Sequence, residues 1–167
     1  MKNIEYEYRN LPISGGGYVT GFLLDQDREK VLYIRTDIGG CYRFSYENRH
    51  WDSLSESVNM FDLSETYPIA IATDLQQDET LYVISGINEE GTEGTFSISH
   101  DGGKTYTREI IPCFVHGNLN GRGTGYRLVQ NPKDKTTLYF ASQKDGLLWT
   151  CDYGKTWEKT DICGEKY

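Results

Sequence analysis

The interval between a strand-ending Asp or Asn and the next Leu-Tyr pair is the same three times along this chain. Asp25 precedes Leu32-Tyr33, Asp74 precedes Leu81-Tyr82 and Asn131 precedes Leu138-Tyr139, each by seven residues. Equal internal spacing marks a repeat, and successive units begin roughly fifty residues apart. That length suits four short strands with turns, the content of one β-propeller blade. A helical repeat would need an amphipathic period near 3.6, which no part of the chain sustains.

Four strands are legible in each unit, separated by Gly, Asp and Asn. The first unit offers strands over residues 18–24, 31–36 and 40–44 and a short one around Trp51. The second offers 69–74, 80–85, 95–100 and 105–109, and the third 125–130, 137–142, 146–151 and 156–160. The predicted fold is all-β, with three four-stranded antiparallel blades over residues 11–60, 61–112 and 113–167 fanned about one axis.

The last hairpins of units two and three read Ser99-His100-Asp101-Gly102-Gly103-Lys104-Thr105-Tyr106 and Thr150-Cys151-Asp152-Tyr153-Gly154-Lys155-Thr156-Trp157. Both match the Asp-box, Ser-x-Asp-x-Gly-x-Thr-Trp. Its logic is local: Asp accepts turn amides, Gly takes a φ that other residues resist, and the aromatic packs under the turn. Such turns are expected at the outer rim, as architecture and not as chemistry. The first unit keeps only the frame from Phe44 to Trp51, without the Asp or the Gly.

Seventeen basic residues against 25 acidic give a formal charge of −8 over 167 residues, which argues against nucleic acid as a partner. No stretch is long enough for a membrane helix. The first residues carry acids and no apolar core, so they do not read as a signal peptide and a cytoplasmic location is expected. Cys41, Cys113, Cys151 and Cys163 lack metal-ligand spacing and are expected to be free buried thiols. His50, His100 and His116 stand apart from one another, so neither a metal nor another cofactor is expected. The glycine runs at 15–17 and 121–125 are not followed by a helix that could hold a phosphate.

Two blocks carry a family resemblance. Gly15-Gly16-Gly17-Tyr18-Val19-Thr20-Gly21, followed by Arg35-Thr36-Asp37-Ile38-Gly39-Gly40-Cys41-Tyr42-Arg43, resembles the opening of a glycoside hydrolase family 74 xyloglucanase. His116-Gly117-Asn118-Leu119-Asn120-Gly121-Arg122-Gly123-Thr124-Gly125-Tyr126-Arg127-Leu128 resembles a second motif of that family, with Tyr126 where the family has Glu. The resemblance runs from Leu11 onward and implies part of a seven-bladed propeller, the N-terminal one of two. It implies that Asp37 is the catalytic base of an inverting hydrolysis of the β-1,4-glucan backbone of xyloglucan, open to solvent at the axis-proximal end of the first blade. Tyr18, Asn118, Arg122 and Arg127 are implied near the sugar chain, with xyloglucan or a related β-glucan oligosaccharide as the partner.

In that family the general acid belongs to the second propeller. The resemblance therefore makes this chain half of a catalytic pair, inactive alone, self-associating and missing its C-terminal blades and second propeller. Asp62, Glu65 and Asp145 are loop carboxylates with no family support as the acid. Family members are often secreted, which keeps secretion open beside the cytoplasmic expectation. A non-catalytic Asp-box binding module and a sialidase-like propeller are the alternatives. A sialidase should open with a Phe-Arg-Ile-Pro-like motif and supply an Arg triad, and Arg9-Asn10-Leu11-Pro12 matches loosely.

Overall fold

The computed structural model describes residues 16–25, 31–57, 63–77, 79–87, 90 and 93–160. Twelve strands form three separate four-stranded antiparallel sheets, each a simple meander in chain order. The first holds β1 (Val19–Leu24), β2 (Val31–Thr36), β3 (Cys41–Ser45) and β4 (His50–Ser53). The second holds β5 (Pro68–Thr73), β6 (Leu81–Ser85), β7 (Gly94–Ser99) and β8 (Thr107–Ile111). The third holds β9 (Leu128–Asn131), β10 (Asp134–Ala141), β11 (Leu147–Thr150) and β12 (Glu158–Lys159). These are propeller blades, as the repeat predicts. The main contacts between sheets run from β5 to β9 and from β5 to β2, so the blades meet through their inner strands.

The seven-residue interval is the turn between the first and second strands. The Asp25 amide donates to the Val31 carbonyl (3.2 Å) and the Asp74 amide to that of Thr80 (3.0 Å). Asp74 does more than turn the chain: it accepts the Gln76 and Gln77 amides, the Tyr82 hydroxyl (2.7 Å) and Gln130 Nε2 (2.9 Å). Gln130 belongs to the third blade, so this buried carboxylate ties two blades together. Burial works to raise its pKa, and the bonds from Tyr82, Gln130 and the two amides outweigh it and hold it lower.

Packing follows from blade order. Every residue of β5 and β6 is buried, because the middle blade has a neighbour on each face. Ala70 and Ala72 face the cluster shared with the third blade, whereas Ile71 faces the one shared with the first. The larger cluster joins Ile69, Tyr82, Ile84 and Phe96 to Leu128, Leu138, Phe140, Leu148 and Trp157. Full burial of side chains this size contributes about 1.5–3 kcal/mol each.

Both Asp turns are built alike. Asp101 accepts the Lys104 and Thr105 amides and the Ser99 and Thr105 hydroxyls, and Asp152 accepts the Thr156 amide and the Thr150 and Thr156 hydroxyls. These bonds occupy the backbone at residues 105 and 156. The following strands therefore begin two residues later than the sequence suggests, at Thr107 and Glu158.

The other departures are also local. A 3-10 turn, Leu63–Thr66, precedes β5 where no helical period is legible. Cys41 and Cys113 are free and buried, their thiols pushed up to about 12 by burial, whereas Cys151 is free but exposed. It follows β11 at the start of a turn, which corrects the expectation of uniformly buried thiols; Cys163 lies outside the described residues. No α-helix occurs among the described residues, and none of their helices is long and apolar enough to cross a membrane.

The Asp turns make stability depend on pH in one direction. The Thr156 hydroxyl, against an opposing contribution from burial, leads the bonds that hold Asp152 near about 2, and Asp101 is depressed further by Thr105 and Ser99. A depressed folded carboxylate stabilises above its unfolded value, near about 3.9, and loses that contribution as pH falls through the folded value. The urea midpoint should stay flat from pH ~7 to ~5 and fall between pH ~4 and ~2. An Asp101→Asn, Asp152→Asn double variant should start lower and show a flatter acid limb.

Candidate active site

The Thr36-to-Gly40 segment folds back on itself at the end of β2. The Thr36 hydroxyl donates to the Gly40 carbonyl (3.0 Å) and accepts the Gly39 amide (2.9 Å), while the Thr36 amide donates to the same Gly40 carbonyl. The turn then docks on the chain entering β1. Asp37 N donates to the Tyr18 carbonyl (3.0 Å), and Tyr18 N donates to Asp37 Oδ1 (2.7 Å).

Glycine permits this docking. A Cβ on Gly39 would overlap the Gly16 carbonyl, and one on Gly17, at φ +105°, would lie 2.9 Å from Asp37 Oδ1. Gly16-Gly17 and Gly39-Gly40, from two parts of the chain, thus form one structure, in which each pair lets the other segment approach.

Asp37 is less open than the resemblance implies. Its side chain is only 14% exposed, because the Tyr18 amide covers Oδ1 and Arg122 faces Oδ2 with Nε 3.8 Å away. That separation is beyond hydrogen-bond length, so Oδ2 keeps its lone pairs for another donor. Ile38 and Tyr18 stand exposed beside it.

Arg122 comes from the segment between β8 and β9, which reaches back over the first blade. His116 pairs with Ile87, and Gln143 holds it at both main-chain groups (2.8 and 3.1 Å). Arg127 turns into the loop, donating to the carbonyls of Ala141 (2.9 Å), Ser142 (3.2 Å) and Gly121 (3.0 Å) and to the Thr124 hydroxyl (2.6 Å). Arg35, on β2, donates to the Thr20 hydroxyl (2.8 Å) and to the carbonyls of Arg122 (2.6 Å) and Gly125 (3.3 Å).

Of the residues expected near sugar, Tyr18 and Arg122 therefore lie at Asp37. Asn118 is exposed on the same loop, with its amide donating to His116 Nδ1 (3.2 Å). Tyr126 is exposed at the loop's end. Sequence reasoning passed over Arg35 as a site residue. The available signal was a cation placed directly after the apolar run Val31-Leu32-Tyr33-Ile34 within one strand.

Comparison with known proteins shows what the chain is similar to. No protein-family profile matches the chain. It is 35% identical over 159 residues to a xyloglucanase of Paenibacillus, covering 92% of this chain and 16% of that protein. It is 31% identical over 166 residues to a xyloglucanase of Acetivibrio thermocellus, covering 96% and 20%. Crystal structures of the family 74 xyloglucanase from Xanthomonas campestris (TM-score 0.79, 32% identity, 93% of this chain and 22% of that one) and of the Niastella koreensis family 74 enzyme (0.78, 30%, 89% and 22%) superpose on the blades. Over nearly its whole length the chain is similar to a segment of glycoside hydrolase family 74 enzymes. It spans about a fifth of the length of these relatives.

The tight contact of Gly39 on Gly16 gives the Thr36-to-Gly40 run a geometric reason. Gly39→Ala should push the Gly16-to-Tyr18 strand away and free Asp37 Oδ1 from the Tyr18 amide. The expected cost is about 1–3 kcal/mol by urea unfolding, the range for stranding buried polar groups, with the largest amide shift at Tyr18. An unchanged Tyr18 resonance would contradict the docking.

Proposed function

We propose that this chain supplies the base half of an inverting xyloglucan-hydrolysing site, with Asp37 as the base. The observation that carries it is the carboxylate fixed by one oxygen, with the other left facing Arg122 and an exposed rim. Oδ1 is spent on the Tyr18 amide, so Oδ2 is the atom to take a proton from the attacking water. Similarity to xyloglucanases supports the substrate class, and Tyr18, Arg122 and Asn118 are the groups at hand for the sugar chain. Arg127 supports the loop through main-chain carbonyls.

The acid is sought outside these residues. Inversion needs the two carboxyls roughly 6.5–9.5 Å apart with a water between them. Glu65 is paired with Arg108, and Asp145 with Lys159 (2.7 Å) and the Phe114 amide (2.8 Å); Asp62 lies outside the described residues. A sialidase-like reading is disfavoured because Arg35 and Arg127 spend their guanidinium groups on carbonyls and hydroxyls of the chain itself.

In an enzyme of the relatives' length that carries this segment, Asp37→Asn should lower kcat on xyloglucan oligosaccharides by about 10²–10⁴ with KM little changed, since an amide cannot accept the proton. The 167-residue chain alone should release no reducing ends. Undiminished turnover by the Asn variant would reduce Asp37 to a turn residue. Turnover by the chain alone would place the acid within it.

A further inference from the structure

We propose that Arg35 is a positioning residue whose guanidinium holds the 121–125 loop so that Arg122 meets Asp37. Its bearing on catalysis rests on the reading of Asp37 as the base; the clamp itself is independent of that reading.

Arg35 is only 3% exposed, yet its recorded partners are all neutral: Thr20 Oγ1 and the carbonyls of Arg122 and Gly125. A buried cation is costly unless hydrogen bonds satisfy it, so a position that needed only volume would carry an apolar side chain. Here the fork reaches three acceptors from two nitrogens, which a lysine's single nitrogen cannot reproduce in the same plane. The Thr20 hydroxyl also donates to Arg35's own carbonyl (3.3 Å), which fixes the orientation of its lone pairs.

The slot is built for this side chain. A Cβ on Gly21 would come within 2.8 Å of Arg35 Nε and 2.9 Å of Cζ and Nη2. What the guanidinium holds is the carbonyl of the very residue whose side chain faces Asp37 Oδ2 at 3.8 Å. Arg35 lies on β2 and Asp37 in the turn that directly follows it, two positions on, so one strand end carries both the clamp and the carboxylate. Arg127 braces the far side through Gly121 and Thr124, leaving Arg122 between two fixed points.

The test uses the isotopically labelled 167-residue chain and three variants, Arg35→Met, Arg35→Lys and Gly21→Ala. The last displaces the guanidinium without removing it. Nuclear magnetic resonance reads the Arg122 Nε–H and Asp37 carboxylate signals and the exchange of the Arg122 and Thr124 amides, with Gly103 and Gly154 of the Asp turns as internal controls. Arg35→Met and Gly21→Ala should both move the Arg122 and Asp37 signals and speed loop exchange by roughly ten-fold or more, about one hydrogen bond's worth, while the controls hold. Arg35→Lys should fall between them and the native chain.

Unmoved loop signals in the folded variants would overturn the proposal. So would equal loss of protection at Gly103 and Gly154, which would make Arg35 a residue of general stability. Asp37→Asn kinetics judge the base separately, so a disturbed loop with an active Asn variant would sink the base and leave the clamp standing.

Discussion

The spacing of the blades depends on an apolar side chain pressed onto a glycine of the next blade's Asp turn. A Cβ on Gly103 would lie 2.6 Å from Leu54 Cδ2, and one on Gly154 would overlap the Phe96 ring. Leu54 belongs to the first blade and Gly103 to the second; Phe96 belongs to the second and Gly154 to the third. The turn glycine recurs with the repeat, while its apolar partner differs: Leu54 follows β4 and Phe96 lies on β7. Phe96 also stacks on Tyr82 (6.0 Å) and meets Trp157 edge-on (5.3 Å), which ties turn, strand and neighbour into one cluster. Both turn glycines have positive φ, so conformation and close approach select the same residue for two independent reasons.

This pairing separates what the chain declares locally from what it leaves to packing. The strands, the seven-residue turns and the Asp-turn bonds were legible because each is settled within about ten residues by periodicity and turn chemistry. The strand ends were less so: Thr105 and Thr156 look like strand residues by propensity and are claimed by Asp101 and Asp152 instead. That Gly103 and Gly154 receive Leu54 and Phe96 was not legible, since the partners lie some fifty residues apart and no local rule joins them.

The site shows the same division more sharply. The motif singles out Asp37 as a candidate but not its cover, because the Tyr18 amide and the Arg122 side chain come from residues 19 and 85 positions away. Arg127 looked like a sugar contact by motif, and its donors are directed at carbonyls that only the folded loop brings near. Loops that cross blades cannot be ordered by their own hydrogen bonds alone, since their peptide groups need partners supplied from elsewhere. Two arginines supply them here. Arginine suits this task because its donors lie fixed in one plane and reach several carbonyls at once.

On the proposal that Asp37 is the base, its described surroundings bear on the side from which substrate comes. Thr36, Gly39 and Gly40 close the strand side of Asp37, with the Gly40 amide bonded to the Thr66 carbonyl (2.9 Å). Gly16 and Gly17 close a second side by contact, and the Arg35-held loop closes a third. Among the described residues, what remains open is the rim carrying Tyr18 and Ile38, one aromatic and one aliphatic and both exposed. An aromatic face beside a carboxylate suits a pyranose, whose axial hydrogens present an apolar surface while its hydroxyls project to the edge. On the proposal that Asp37 is the base, a second carboxyl acting with Oδ2 reaches in across that rim, and one blade edge then carries one half of the chemistry and leaves the other half to a separate body.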